Sequence, residues 1–150
     1  MKHLLIILSI LLLSSPLQAQ FQPSGLVKLV EGYGIIIRNG SEIKIKKKET
    51  IIKNGDLIRT NVSGKIILTL LGGDDVFIAP DTEIKFKENK SKKGLSNVIN
   101  RNLTLKGRLL AKIRKNLARP IQIRTPNAIV AVKGTEFVTE FIQGITNVGI

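Results

Sequence analysis

A period of two most restricts what this chain can fold into. β-Branched and aromatic side chains alternate with polar ones over most of its length, and turn-forming residues separate the runs. Ile35 and Ile37 precede Asn39-Gly40, and Ile43 and Ile45 follow it. Asn-Gly tolerates positive φ at both central positions of a tight turn, so this stretch reads as a hairpin. A second Asn-Gly turn falls at 54–55, inside IIKNGDLIRT. KIILTLL (65–71) is a strand, Gly72-Gly73-Asp74-Asp75 a turn, and Val76 and Ile78 open a strand that Pro80-Asp81 breaks. Glu83 to Lys87 alternates again, and ENKSKKG (88–94) reads as a polar loop with no core residue. Ile121–Thr125, Ile129–Val132 and Phe137–Ile142 complete the run, with Pro120, Pro126-Asn127 and Gly134 between them.

One stretch stays open on local evidence. Val98, Leu105, Leu109, Ile113 and Leu117 approximate a helical stripe, and RLLAKIRKNLA is rich in helix formers. Gly107 interrupts that stripe, and Leu103-Thr104-Leu105 alternates, so LTLK and RLLAKI also read as strands on either side of the glycine. There is a faint internal echo. NGDLIRT resembles KGRLLAK, and IAPDTEIKF resembles AVKGTEFVTEF, at a spacing of about fifty residues. The expected fold is all-β, a β-roll or solenoid-like sandwich of two similar halves.

Chemistry is restricted as strongly as fold. There is no cysteine, which excludes disulfides, thiolate metal sites and cysteine nucleophiles. The single histidine is His3. It lies in MKHLLIILSILLLSSPLQAQ, which has the three parts of a secretory signal peptide: Lys2, an apolar run from Leu4 to Leu13, and a small-residue end at Ala19. The run is half of the roughly 20 apolar residues a membrane span needs. Residues 1–19 are therefore expected to be a cleaved signal peptide and 20–150 the exported domain, periplasmic or secreted, with no transmembrane span left after cleavage. Without histidine or cysteine, acyl-transfer triads and most acid–base pairs near neutral pH have no members. The serines lack a histidine partner, and Asp74, Asp75, Asp81 and Glu83 lack calcium-loop spacing. The chain is read as no enzyme, with no catalytic, metal or cofactor residue and no cofactor.

Charge points to partners. Lys and Arg number 24 against 11 Asp and Glu, a net +13. Eleven basic residues and one acid, Glu88, lie between Lys85 and Lys115. Such a run is either a solvated hairpin or an anion-binding face, for which the candidates are Lys90, Lys92, Lys93, Arg101, Lys106, Arg108, Lys112, Arg114 and Lys115. Aromatic residues do not interleave with these cations, which argues against nucleic acid. The remaining partners are a protein or an anionic envelope polymer.

Three segments carry a family resemblance. Gly55-Asp56-Leu57-Ile58-Arg59-Thr60 looks like a "G-D-x-I-x-T" step. Leu68 to Ile84, LTLLGGDDVFIAPDTEI, looks like an "L-x-L-x-D-G-S-x-I-x-L-x-P-x-T-x-I" strand pair. Thr125 to Phe137, TPNAIVAVKGTEF, looks like "T-P-x-A-x-x-x-V-R-G-T-E-F". Together, from Asn54 to Phe141, the chain resembles the FecR domain, the periplasmic part of ferric citrate regulator-like proteins. The resemblance implies that Thr125, Pro126, Gly134, Thr135, Glu136 and Phe137 define the fold and form no reactive site. It also implies a non-catalytic, exported binding, scaffolding or signalling-associated module of the bacterial envelope. The alternatives are a periplasmic partner in siderophore-type iron-uptake signalling and a cationic surface protein that binds anionic envelope polymers. The family's regulatory members have a cytosolic region and a spanning helix before this domain, where this chain has a signal peptide. The family pattern also continues past Phe141 into a strand and a glycine turn, so one or more C-terminal strands are expected to be missing.

Overall fold

The computed structural model describes residues 23–46, 50–94, 96–114, 119–132 and 136–150. Among the described residues there is no helix, and thirteen strands form one curled sheet. They are β1 (Gly25–Glu31), β2 (Gly34–Arg38), β3 (Ser41–Lys44), β4 (Ile51–Ile52), β5 (Leu57–Thr60), β6 (Lys65–Leu70), β7 (Asp75–Ile78), β8 (Glu83–Lys93), β9 (Ser96–Lys112), β10 (Ile121–Arg124), β11 (Ile129–Val132), β12 (Glu136–Ile142) and β13 (Ile145–Gly149).

The sheet has two arms that share β9. The first arm runs β4-β1-β6-β7-β9-β12-β13, and the second runs β3-β2-β5-β8-β9-β10-β11. Every pairing is antiparallel except β9 with β10. The first half of β9, Ser96 to Lys106, pairs with β8, and its second half, Gly107 to Lys112, pairs with β12. The change of partners falls at Gly107, whose φ is 110°. A Cβ there would lie 2.5 Å from Thr82 Oγ1, 2.8 Å from Thr82 Cα and 2.9 Å from the Asp81 carbonyl oxygen. Only glycine fits both the φ and the space.

Up to Lys112 the stretch with helical propensity is thus strand β9, and residues 115–118 lie outside the described residues. Leu103, Leu105, Leu109 and Ala111 keep a period of two through Gly107, and all four are fully buried. Strand pairing on both sides outweighs a helix preference of a few tenths of a kcal/mol per residue. Both arms turn their apolar faces to one core. Ile66, Leu68, Val76, Ile78 and Phe137 come from the first arm, and Ile36, Ile58, Ile84, Phe86 and Ile123 from the second.

The turns follow the sequence with two exceptions. Asn39-Gly40 is a two-residue hairpin with φ of 51° and 80°, as its chemistry predicts. Asn54-Gly55 is also a turn, but it joins β4 in one arm to β5 in the other. ENKSKKG is not a loop: Glu88 to Lys93 continues β8, and the reversal comes at Gly94. The Asn54 side chain holds this extension at its base. Its Nδ2 donates to the Glu88 carbonyl at 3.0 Å, and its Oδ1 accepts from the Glu88 N–H at 2.9 Å. Asn89 to Lys92 are exposed and Glu88 is half-buried.

Gly107→Val is expected to cost about 3 kcal/mol, because left-handed strain adds to overpacking against Thr82. Gly40→Ala, at positive φ but with nothing within 4 Å of the new carbon, is expected to cost about 1 kcal/mol. Thermal melts followed by circular dichroism measure both, and equal losses would contradict the packing role of Gly107.

Candidate functional site

The motif residues at the C-terminal end hold the two arms together. Thr125 ends the β10 segment and is buried. Its N–H donates to the Ala128 carbonyl at 2.9 Å, and its Oγ1 accepts from the Ala128 N–H at 3.1 Å, closing the Thr125-Pro126-Asn127-Ala128 turn. Across the arms, Thr125 Oγ1 and Thr146 Oγ1 share a hydrogen bond of 2.6 Å. Thr146 Oγ1 also donates to Asn127 Oδ1, and Asn127 Nδ2 donates to the Gly144 carbonyl at 2.9 Å. The β10–β11 turn of one arm is thereby fastened to the β12–β13 hairpin of the other. Phe137 is buried in the core, Pro126 is exposed in the turn, and Glu136 is exposed opposite Lys112. Gly134 and Thr135 lie outside the described residues.

The nine candidate cations do not form one face. Arg101 is fully buried, in phase with Leu103 and Leu105 on the inner side of β9. Its Nη2 contacts Asp74 Oδ2 at 2.6 Å and donates to the Arg119 carbonyl. Arg101 cannot serve an external anion-binding face. Arg108 pairs with Glu140, and Lys112 lies between its register mates Asp75 and Glu136. Arg114 is exposed but uses its backbone N–H to bond Asp74 Oδ1 at 2.7 Å. Lys90 and Lys92 are exposed on β8. Lys93 is in β8, and Lys115 lies outside the described residues. Of the nine, Lys106 is exposed on the outward face of the second arm.

Sequence reasoning treated Asp74 as turn chemistry, whereas it is 1% exposed and paired with a fully buried arginine. Asp56 has a similar position. It is buried after Gly55 and accepts two bonds from Arg38, at 2.8 Å from Nε and 2.7 Å from Nη2. That bidentate contact holds the Arg38 guanidinium above its ordinary pKa. Asp75 is only partly buried. The Thr69 hydroxyl, with Lys28 and Arg114 nearby, holds its carboxyl below the usual range.

Register assembles a different set of cations. Ile84 and Phe86 turn inward, so Lys85 and Lys87 turn outward. Lys85 stands opposite Thr104, and Thr104 opposite Arg124. Lys87 stands opposite Asn102, and Asn102 opposite Gln122. Lys106 stands opposite Glu83, which is held by Arg59 Nη2 at 2.8 Å. Alternation in the sequence could have located this set, and it would also have placed Arg101 inside. At the upper end of this face, beside Gly107, is a cleft of about 710 Å³ bordered by Arg59, Lys106, Arg108, Asp81 and Phe141. Among the described residues no three His, Asp or Glu side chains cluster to hold a metal. The arrangement presents exposed ammonium and guanidinium groups on one side of the sheet.

A family model described as FecR protein matches residues 56–149. No curated protein and no solved structure matches the chain.

Removing one partner of the Asp74–Arg101 pair should leave a buried charge uncompensated. Asp74→Asn and Arg101→Met are each expected to cost about 3–5 kcal/mol. The double variant should cost less than the two losses together, by more than about 1 kcal/mol. Urea unfolding of the four proteins measures this coupling, and additivity within about 0.5 kcal/mol would remove the pair's structural role.

Proposed function

The chain belongs to the FecR protein family, and on that premise we propose that it is an exported, non-catalytic module that works by contacting another protein in iron-uptake signalling of the bacterial envelope. FecR family proteins are regulatory and signalling proteins rather than enzymes. The observation that supports the reading best is the extent of the match. It begins at Asp56, the acid that holds Arg38, and ends at Gly149, the last residue of β13. Every strand from β5 onward lies within it, including the Thr125–Thr146 fastening.

The residues of the family motif support a framework role. Thr125 and Phe137 are spent on a turn and on the core, and the buried acids are spent on arginines. A protein of this kind acts through surfaces and edges, where signalling contacts form by shape and charge. No helix among the described residues is long and apolar enough to cross a membrane. The apolar run at Leu4–Leu13, closed by Pro16, supports export by a cleaved signal peptide.

Two measurements test this reading. Mass spectrometry of the exported protein is expected to give Gln20 as its first residue, and an intact Met1 in a membrane fraction would overturn the localisation. Deleting residues 56–149 in the producing cell is expected to change transcription of iron-uptake genes under iron limitation. Unchanged transcripts, with the protein present in the envelope, would overturn the signalling role.

A further inference from the structure

We propose that the outward face of the second arm, formed by Lys85, Lys87, Lys106 and Arg124 with Asn102, Thr104 and Gln122 between them, binds a linear anionic polysaccharide. This goes beyond signalling, and it does not depend on a signalling role.

Neighbouring strands are about 4.8 Å apart, and side chains on one face recur about every 6.8 Å along a strand. Lys85, Thr104 and Arg124 form one row across β8, β9 and β10, and Lys87, Asn102 and Gln122 form the next. Lys106 lies one row further, beside Glu83. The four cations therefore occupy one patch of adjacent rows whose spacing suits the repeating charges of an extended polymer.

Two acids lie near this face, Asp81 at the cleft beside Lys106 and Glu83 opposite Lys106, and Glu83 is already engaged. Glu83 accepts from Arg59 Nε at 3.1 Å and Nη2 at 2.8 Å. Glu42 lies on β3, three strands away from Lys85. Among the described residues, no acid forms an ion pair with Lys85, Lys87, Lys106 or Arg124. Arg124 bonds only the neutral Gln122, at 3.4 Å. The outward face of the first arm differs. There Lys28 pairs with Asp75 at 3.4 Å, Arg108 pairs with Glu140, and Lys112 is flanked by Asp75 and Glu136. Among the described residues both faces carry cations, and Lys85, Lys87 and Arg124 on the second arm have no acid as a register mate.

The side chains between the cations identify the ligand class. Amides and a hydroxyl can bond sugar hydroxyls while lysine and arginine meet carboxylate, sulfate or phosphate groups. These rows have no aromatic side chain, and their large apolar register mates are Leu57 beside Lys85 and Ile129, 60% exposed, beside Arg124, so an anionic bilayer is set against the polysaccharide in the test below. Without an aromatic side chain, stacking platforms for nucleic acid are missing.

Heparin serves as the probe, titrated into the purified protein by calorimetry at low and at physiological salt. Lys85→Glu with Lys106→Glu is expected to weaken binding at least tenfold, and binding by the unaltered protein should fall steeply with salt. A control pair with the same change in net charge, Lys65→Glu with Lys92→Glu, is expected to weaken binding less than threefold. Equal losses in the two pairs would mean that net charge alone attracts heparin, which overturns the site. Should the Lys85/Lys106 glutamate pair fail to fold, the glutamine pair at the same positions takes its place, again set against glutamines at Lys65 and Lys92. Vesicles of phosphatidylglycerol form the second arm of the experiment. Vesicle binding that depends on Lys85 and Lys106, with heparin binding that does not, would overturn the polysaccharide in favour of a lipid surface.

Discussion

Strand β9 is the constraint on which the rest of the molecule depends. It pairs with β8 and β10 before Gly107 and with β7 and β12 after it, so every other strand reaches its arm through this one. At the bend two threonine hydroxyls take up backbone N–H and carbonyl groups. Thr82 Oγ1 accepts from the Arg108 N–H at 3.0 Å and donates to the Pro80 carbonyl at 3.0 Å. Thr60 Oγ1 accepts from the Thr82 N–H at 3.0 Å and donates to the Ala79 carbonyl at 2.8 Å. Two buried threonines thus do at the bend what ladder hydrogen bonds do elsewhere. Because the neighbouring backbone occupies the space a side chain would need, β9 can switch arms only where it has glycine.

The buried ion pairs solve a related problem, that of holding turns against segments distant in sequence. After Lys112 the chain must return so that β10 can lie parallel to β9, and a parallel neighbour cannot be reached by a tight turn. Arg101 fixes the landing point of that return. Its N–H donates to the Pro120 carbonyl at 3.0 Å, while its guanidinium reaches Asp74 in the β6–β7 turn. Asp74 in turn binds the Arg114 N–H where the return begins. One carboxylate therefore ties the departure, the landing and the opposite arm. A charge pair buried this completely adds little net stability. Its effect is to favour one crossing geometry over others, since any slip would strand two charges in the core.

The sequence made the general plan legible because one rule governs nearly all of it. Alternation located the strands from Ile35 to Phe86, and Asn39-Gly40 behaved as an isolated hairpin would. Legibility ended where two neighbourhoods compete for one residue. Lys106 to Lys112 has helix formers, and only the strands that flank it decide for β-structure. Glu88 to Lys93 has no apolar residue and so reads as a loop, yet its partner strand and the Asn54 clamp extend it. The candidate cations were gathered by proximity in sequence, whereas on a strand proximity places neighbours on opposite sides. Arg101 among them was the clearest error of this kind, since its phase with Leu103 and Leu105 already pointed inward.

Charge on this molecule is organised by arm rather than by segment. Acids of the first arm stand opposite its cations, so its outward face is close to neutral despite Lys28, Arg108 and Lys112. On the second arm Glu83 is committed to Arg59, and Lys85, Lys87 and Arg124 face solvent. Mutual repulsion among them costs stability that nothing in the fold recovers. Lys85, Lys87 and Lys106 each alternate with a core residue, so any polar residue would have served the fold equally well there. The inward residues of β8 and β9 fix the shape, while Lys85, Lys87 and Lys106 on the outward side of the same two strands take no part in the core.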